Sequence, residues 1–409
     1  MLMISLIGIL FILITVFKFK ISLLHLLSFS FGVQIFNLNF MSEDIALSDT
    51  FIRVHLLAII FFYTPFIFYK SRVIKYELTY ENVALGSSYN RDISSSFRNA
   101  VLLFIFLTIY HYYIVGIPIF SNEVETIRFA AAQSGLFGIP SRIAVYGPAI
   151  LFFTSIILYL KGFLSNKIFY FSLITIGVLL SFQGSKSSLI QIIFLGIICF
   201  RFLPKKFVKQ IMPLVLFFTI ISFSYIYYVF SIFSSSDDLE FFSYLAQRMS
   251  VISQAPKIAL IDEDIQFKLF TGSIFFNDLI YPFSKVLGMD IETSNIQLSR
   301  FIYNIEDGDF TVPVTPGITA YAFVELGEIG TYIFMLLLSL FILYLYHKTT
   351  HSHSIYSIIF ILTTEYLLYV GITSGNIFYL VGNTYFIVLF LWFFERVFYF
   401  FRTSLFRRN

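Results

Sequence analysis

Gly317 to Tyr346 reads GITAYAFVELGEIGTYIFMLLLSLFILYLY, and its only charged side chains are Glu325 and Glu328. A hydrocarbon core about 30 Å thick is crossed by roughly 20 residues rising 1.5 Å each. The run is longer than that, so it has room for a tilted or kinked portion. In lipid each backbone N–H and C=O must be satisfied within the segment, which makes such a run a helix. Both carboxylates stand near its start, where the chain returns from a long polar segment.

Working outward, apolar runs of similar length recur from end to end. The reading is eleven spans, at about 2–17, 21–38, 51–69, 98–115, 142–160, 168–182, 186–201, 211–230, 317–346, 354–371 and 376–399. Of the 409 residues 58% are hydrophobic and 12% charged, where a soluble domain carries about 25% charged residues. Mean hydropathy is +0.84. The fold class expected is therefore all-α: a polytopic transmembrane helical bundle, with residues 1–409 forming a single integral membrane domain. The run 2–17 has no basic residue before it and no small-residue cleavage site after it, so it reads as a retained first helix. Cys199, the sole cysteine, lies in an apolar run, which excludes a disulfide framework or a cysteine-based metal site.

Charge is sorted by side. Alternate connections hold 18 of the 27 Lys and Arg residues, among them Lys18, Lys20, Lys70, Arg72, Lys161, Lys205, Lys348, Arg407 and Arg408. The opposite connections hold nine, five of them in one long loop that counts little for orientation. The positive-inside rule puts the basic set in the cytoplasm, the N-terminus outside and the C-terminus inside.

Two outer loops concentrate polar chemistry. The first, 116–141, runs from Gly116-Ile-Pro-Ile-Phe120 through Arg128 to Pro140. The second, 231–316, is 86 residues long, far beyond a connector of ordinary length. Within it Phe241, Phe242, Leu245, Met249 and Ile252 recur at helical spacing, and so do Phe275, Phe276, Leu279, Ile280, Phe283 and Leu287. These read as two amphipathic helices lying on the membrane surface or roofing the bundle.

The outer face also carries Arg128, Arg142, Lys186, Arg248 and Arg300. Arg142 and Lys186 also fit snorkelling at helix ends, and Arg248 fits the wet face of its helix. Together the five suit an anionic substrate at the membrane surface, arginine being a permanently charged, bidentate partner for phosphate. The turn Gln183-Gly184-Ser185-Lys186-Ser187-Ser188 either cradles an anion on backbone N–H groups or is a flexible inter-helix turn. Glu325 stands at a membrane boundary, where a carboxylate can accept a proton from a hydroxyl. Glu365, inside the tenth span, is a functional candidate or a protonated pin between helices. His347, His351 and His353 read as a solvated cluster, Asp262, Glu263 and Asp264 as a solvated loop, and His111 as a hydrogen-bonded helix-end residue. No metal and no cofactor are assigned.

Gly116-Ile-Pro-Ile-Phe120 with Arg128 and Arg142, the Gly184-Ser-Lys186 turn, the long outer loop, and Pro316-Gly317 leading to Phe323-Val-Glu-Leu-Gly327-Glu-Ile-Gly330 resemble the oligosaccharide repeat-unit polymerases, the O-antigen polymerases of the Wzy type. The likeness covers most of the chain as architecture and short stretches as sequence. It implies a metal-independent glycosyltransferase of the bacterial inner membrane. Such an enzyme moves a growing glycan from undecaprenyl pyrophosphate to the next lipid-linked repeat unit at the outer face. Under it Glu325, Arg128 and Arg248 are the expected catalytic residues, and Arg142, Lys186 and Arg300 the substrate-binding ones. The expected partners are the undecaprenyl-pyrophosphate-linked oligosaccharide and membrane lipid, with a chain-length regulator and a flippase as protein partners and no nucleic acid.

Two other readings stay open. O-antigen ligases share the architecture but use a His in the large outer loop, and 231–316 contains none. A flippase or transporter would show internal repeats and charges on broken helices at the midplane.

Overall fold

The computed structural model describes residues 2–19, 22–41, 48–69, 87–117, 138–182, 195–196, scattered positions between 209 and 227, 255–262, 273–284, 287–289, 291–304, 314–351 and 355–390. Among the described residues the secondary structure is helical, with no strand. In chain order the helices are α1 Leu2–Lys18, α2 Ser22–Met41, α3 Asp49–Phe68, α4 Ser87–Val115, α5 Ile139–Leu160 and α6 Asn166–Phe182. There follow α7 Ala255–Asp262, α8 Ser273–Ser284, α9 Ser294–Tyr303, α10 Gly317–His351, α11 Ile355–Ser374 and α12 Ile377–Phe390. The predicted span 186–201 falls almost wholly outside the described residues, 211–230 is described only at scattered helical positions, and the predicted helix around Phe241 to Ile252 lies outside them.

Among the described residues four helical stretches are long and apolar enough to cross a membrane: Asp49–Phe68, Ser94–Val115, Ile139–Leu160 and Gly317–Lys348. Their surfaces are inverted relative to a soluble protein. On α4, Leu102, Phe106, Ile109 and Tyr113 face outward while Thr108 and His111 are buried. On α10, Ile329, Ile333, Leu337, Leu340 and Tyr344 face outward while Thr331 and Ser339 are buried. Apolar stripes this long are sequestered by lipid or by another protein.

Local signals explain several helix starts. Ser48 caps α3 by accepting a hydrogen bond from Phe51 N–H at 3.0 Å, and Asp49 in the first turn complements the helix dipole. Pro140 begins α5, where its missing N–H costs nothing. That start lies ahead of the predicted boundary at 142, so Arg142 stands inside the helix.

The chain divides into two compact units. The first takes α1 to α3, α7, α8 through Tyr281, α9, α10, α11 and α12 as far as Leu380. In it α1, α3 and α10 run in one direction, for their C-terminal ends meet. The Phe19 ring lies 5.7 Å from Phe66, 6.2 Å from Tyr69 and 6.1 Å from Tyr346, and Lys18 Nζ donates to Ile67 O at 2.6 Å. Helix α2 runs the other way, with Ser28 against the Tyr63 hydroxyl at 3.0 Å and Gly8 of α1 against Ile35. Helix α11 ends at Gly375 against the backbone of Gly317, the first residue of α10.

Helix α10 is two helices. Gly327 has φ 69° and ψ −174°, a conformation open in practice to glycine alone. It separates a half-helix, 317–326, from the longer piece that begins at Glu328. The break is a fold-back. The Phe275 ring of α8 lies 4.9 Å from Tyr321 and 5.7 Å from Phe334, yet a straight helix would hold those two residues roughly 20 Å apart along its axis. Gly330 serves the same bend, since a Cβ there would fall 2.5 Å from Leu326 Cβ.

The second unit contains α4, α5, α6 and α12 from Val381 on. Gly147 of α5 admits the Phe104 ring of α4, and the Tyr112 hydroxyl of α4 donates to Leu179 O of α6 at 3.0 Å. Tyr159 stacks on Phe169 at 4.2 Å, closing the α5–α6 hairpin.

Candidate functional site

The fold-back in α10 gathers the chemistry of the first unit. Residues 317–325 are all buried, although a helix normally keeps one wet or lipid-facing side. Small residues at Gly317, Thr319, Ala320 and Ala322 let neighbours close in all round. Glu325, 3% exposed, sits one residue from the end of this half-helix. One turn earlier on the same face is Tyr321.

Tyr321 leads to a carboxylate that the sequence reading passed over. Its hydroxyl donates to Asp278 Oδ2 at 2.7 Å. Asp278 also accepts from Ser294 N at 2.8 Å and from Ser294 Oγ at 2.5 Å. The carboxylate is wholly buried. Burial pushes its pKa up, while the bonds from Ser294 and Tyr321 pull the other way. Asp278 lies three residues after Phe275 and four before Pro282, on the inward side of α8, where Ile274 is also buried. A carboxylate in an apolar stripe was the available signal. Helices α7 and α9 were likewise not foreseen; α7 packs against α3, α9 and α10.

On the far side of the break stands an ion pair. Arg53 of α3 meets Glu328 through both carboxylate oxygens, Nε to Oε1 at 2.9 Å and Nη2 to Oε2 at 2.9 Å, and the Tyr332 hydroxyl donates to Oε1 at 2.9 Å. The Arg53 side chain is 50% exposed. Two residues further along α3, His55 Nδ1 pairs with Thr319 Oγ1 at 3.1 Å. Neighbouring positions of α3 thus hold residues on both sides of the bend, Thr319 before it and Glu328 after it.

Among the expected site residues, Glu325 and Arg300 lie in this first unit. Arg300, in the last turn of α9, pairs through Nη1 with Glu292 Oε1 at 2.6 Å. Arg142 belongs to the second unit and does not snorkel. It is 6% exposed, donates from Nε to Asn383 Oδ1 at 2.8 Å, and lies 5.2 Å over the Phe386 ring. Such a stacked, hydrogen-bonded guanidinium is held in one orientation. Arg128, Lys186 and Arg248 lie outside the described residues. Glu365 is buried within α11 beside Thr363 and Thr364. Among the described residues no group of three or more His, Cys, Asp or Glu side chains gathers as for a metal ion.

Chemically, Glu325 is a buried carboxyl near the end of a half-helix, one turn from a phenol that is hydrogen-bonded to a second buried carboxyl, an arrangement that can serve proton transfer. Comparison of the chain with family models, with curated proteins and with solved structures finds no match in any of the three.

Proposed function

We propose that this chain is a polymerase of lipid-linked oligosaccharide repeat units, acting at the outer face of the bacterial inner membrane. The observation that carries the reading is the docking of segment 231–316, through α8 and α9, onto the broken half-helix that bears Glu325. In this reading α8 and α9 close over the half-helix and keep water from a proton acceptor, as group transfer beside a membrane requires.

In the proposed reaction Glu325 takes the proton of the acceptor hydroxyl on the incoming repeat unit. That oxygen bonds to the anomeric carbon of the growing glycan as the bond from this carbon to the pyrophosphate oxygen breaks. Undecaprenyl pyrophosphate departs with the electron pair. Arg128 and Arg248 stabilise the leaving charge, and Arg142, Lys186 and Arg300 hold pyrophosphate or glycan. Holding both lipid carriers in one membrane plane supplies proximity. The proposed orientation has the N-terminus outside, the C-terminus cytoplasmic and eleven spans, with a chain-length regulator and a flippase as partners.

The transporter reading gains one observation, because a broken helix beside intramembrane carboxylates is how transporters build their sites. A gel of surface glycolipid from a deletion strain separates the readings. Loss of a polymerase leaves core capped with one repeat unit. Loss of a ligase leaves bare core and polymer stranded on carrier lipid, and loss of a flippase traps single units inside. Arg128→Ala, Arg248→Ala and Arg300→Ala should each shorten the chains at normal protein abundance; full-length ladders from all three remove those site assignments. The loop also holds Asp-x-Asp pairs at Asp262/Asp264 and Asp307/Asp309. Polymerisation that survives EDTA in membrane vesicles is the expected result, and its abolition would bring those pairs into the mechanism.

A further inference from the structure

We infer that Asp278 is the positioning residue that docks the 231–316 segment on the half-helix and thereby sets the place of Glu325; the role of Glu325 itself rests on the function proposed above. The carboxylate has two distinct jobs. Toward α9 it binds both the backbone N–H and the hydroxyl of Ser294, the first residue of that helix. An acidic side chain at a helix start satisfies a donor that has no partner within the helix and complements the dipole. Toward α10 it takes the Tyr321 hydroxyl. One buried side chain of α8 therefore fixes two other helices.

The packing around it depends on the same placement. The Phe275 ring, one turn before Asp278, bridges Tyr321 and Phe334 and lies 4.8 Å from Phe378. Leu298 and Ser299 of α9 are buried. Rings and aliphatic groups like these fill space without fixing register. The hydrogen bonds of Asp278 supply direction, and a buried acceptor whose donors are removed, or the reverse, is left at a cost that apolar contacts do not incur. Tyr321 stands one turn from Glu325, so displacing its hydroxyl rotates or shifts the face that presents Glu325.

The test uses the full-length protein in membranes, with Cys199→Ser as background and Ile274→Cys as reporter. Ile274 is buried on the docked side of α8, so a membrane-impermeant maleimide reaches it only when α8 lifts away. Asp278→Ala should raise the labelling rate by about tenfold or more, the scale of losing hydrogen bonds to a charged acceptor. Asp278→Asn keeps an acceptor oxygen and the shape of the side chain, and should retain most of the protection and most of the polymer length. Tyr321→Phe keeps the ring contacts and removes one bond, so it should fall between the two even where Asp278→Ala is poorly made. Unchanged labelling in both Asp278→Ala and Tyr321→Phe overturns the inference. So does raised labelling with full-length glycan chains, since docking would then have no bearing on Glu325. Glu325→Gln with protected Ile274→Cys and no loss of polymer would sink the proposed function and leave the docking standing.

Discussion

The two pieces of α10 share one continuous apolar sequence and are covered by different things. Residues 317–325 are enclosed by protein on every side. Beyond Gly327 the helix keeps an outward stripe of Ile329, Ile333, Leu337, Leu340 and Tyr344. Hydropathy alone does not separate the two, because protein and lipid both remove apolar surface from water. What separates them is residue size and polarity. The first piece has four small residues among its nine, Gly317, Thr319, Ala320 and Ala322, beside Ile318, Tyr321, Phe323, Val324 and Glu325, whereas the second is Leu-, Ile- and Phe-rich. The lesson is that a half-helix wrapped by protein can carry a carboxylate that a lipid-facing helix would expel. The fold-back at Gly327 is what allows one chain segment to contain both.

The sharpest way to break this contrast is to replace the carboxyl that the wrapped half holds. Glu325→Gln preserves shape and hydrogen bonding, so the protein should reach normal abundance. Under the proposed function, polymer synthesis in vesicles should fall by about 10²- to 10⁴-fold, the usual weight of a general base. A variant of near-normal activity would mean that the wrapped half serves packing alone. Next in size is Phe275→Ala, which removes the ring between Tyr321 and Phe334. A loss of about 3 kcal/mol is expected for an aromatic deletion in packed surroundings, read as reduced resistance to heat in detergent. Gly327→Ala follows. A Cβ at φ 69°, ψ −174° costs about 1–3 kcal/mol, and it should drive the two pieces toward a straight helix. Raised maleimide reactivity at Ile274→Cys would report that straightening. A variant as stable and as protected as the parent would mean that the bend tolerates a side chain.

How far the sequence foretold this depends on the range of each signal. Some helix starts are local and were legible: α3 begins within two residues of the expected 51 because Ser48 and Asp49 mark its start, whereas α4 begins at Ser87, ahead of the expected 98, and α7 and α9 were not foreseen. Helix α5 begins earlier than expected because Arg142 looked like a membrane boundary, and its burial against Asn383 and Phe386 depends on a segment some 240 residues away. Glu325 stood out as a carboxylate in an apolar run, and the length of that run allowed for a kink. That Gly327 rather than Gly330 makes the bend is a matter of backbone angles, which spacing does not encode. Asp278 was hidden because amphipathic periodicity counts apolar residues and treats an acidic one as wet. Its three donors come from Ser294 and Tyr321, on two other helices, so only folding brings them together. Arg53 was not singled out either, since its partner Glu328 lies far away in the sequence.

The smallest expected effect concerns the Arg53–Glu328 pair, which fastens the lipid-facing piece to α3. Its geometry is good, with two parallel N–H···O contacts of 2.9 Å, and Tyr332 adds a third hydrogen bond. The side chains are nevertheless open to their surroundings, 50% for Arg53 and 34% for Glu328, and exposed ion pairs are weakened by solvent and salt. Arg53→Gln and Glu328→Gln should therefore each lower thermal resistance only slightly, and the deficit should shrink as salt is raised. The exchanged pair Arg53→Glu with Glu328→Arg should recover part of the loss, because the contact depends on opposite charge more than on which helix bears which sign. The comparison turns on relative size. Should Arg53→Gln prove as damaging as Phe275→Ala, the clasp on α3 and not the aromatic filling would be what keeps α10 folded back. The piece beyond Gly327 would then owe its position to protein as much as the piece before it.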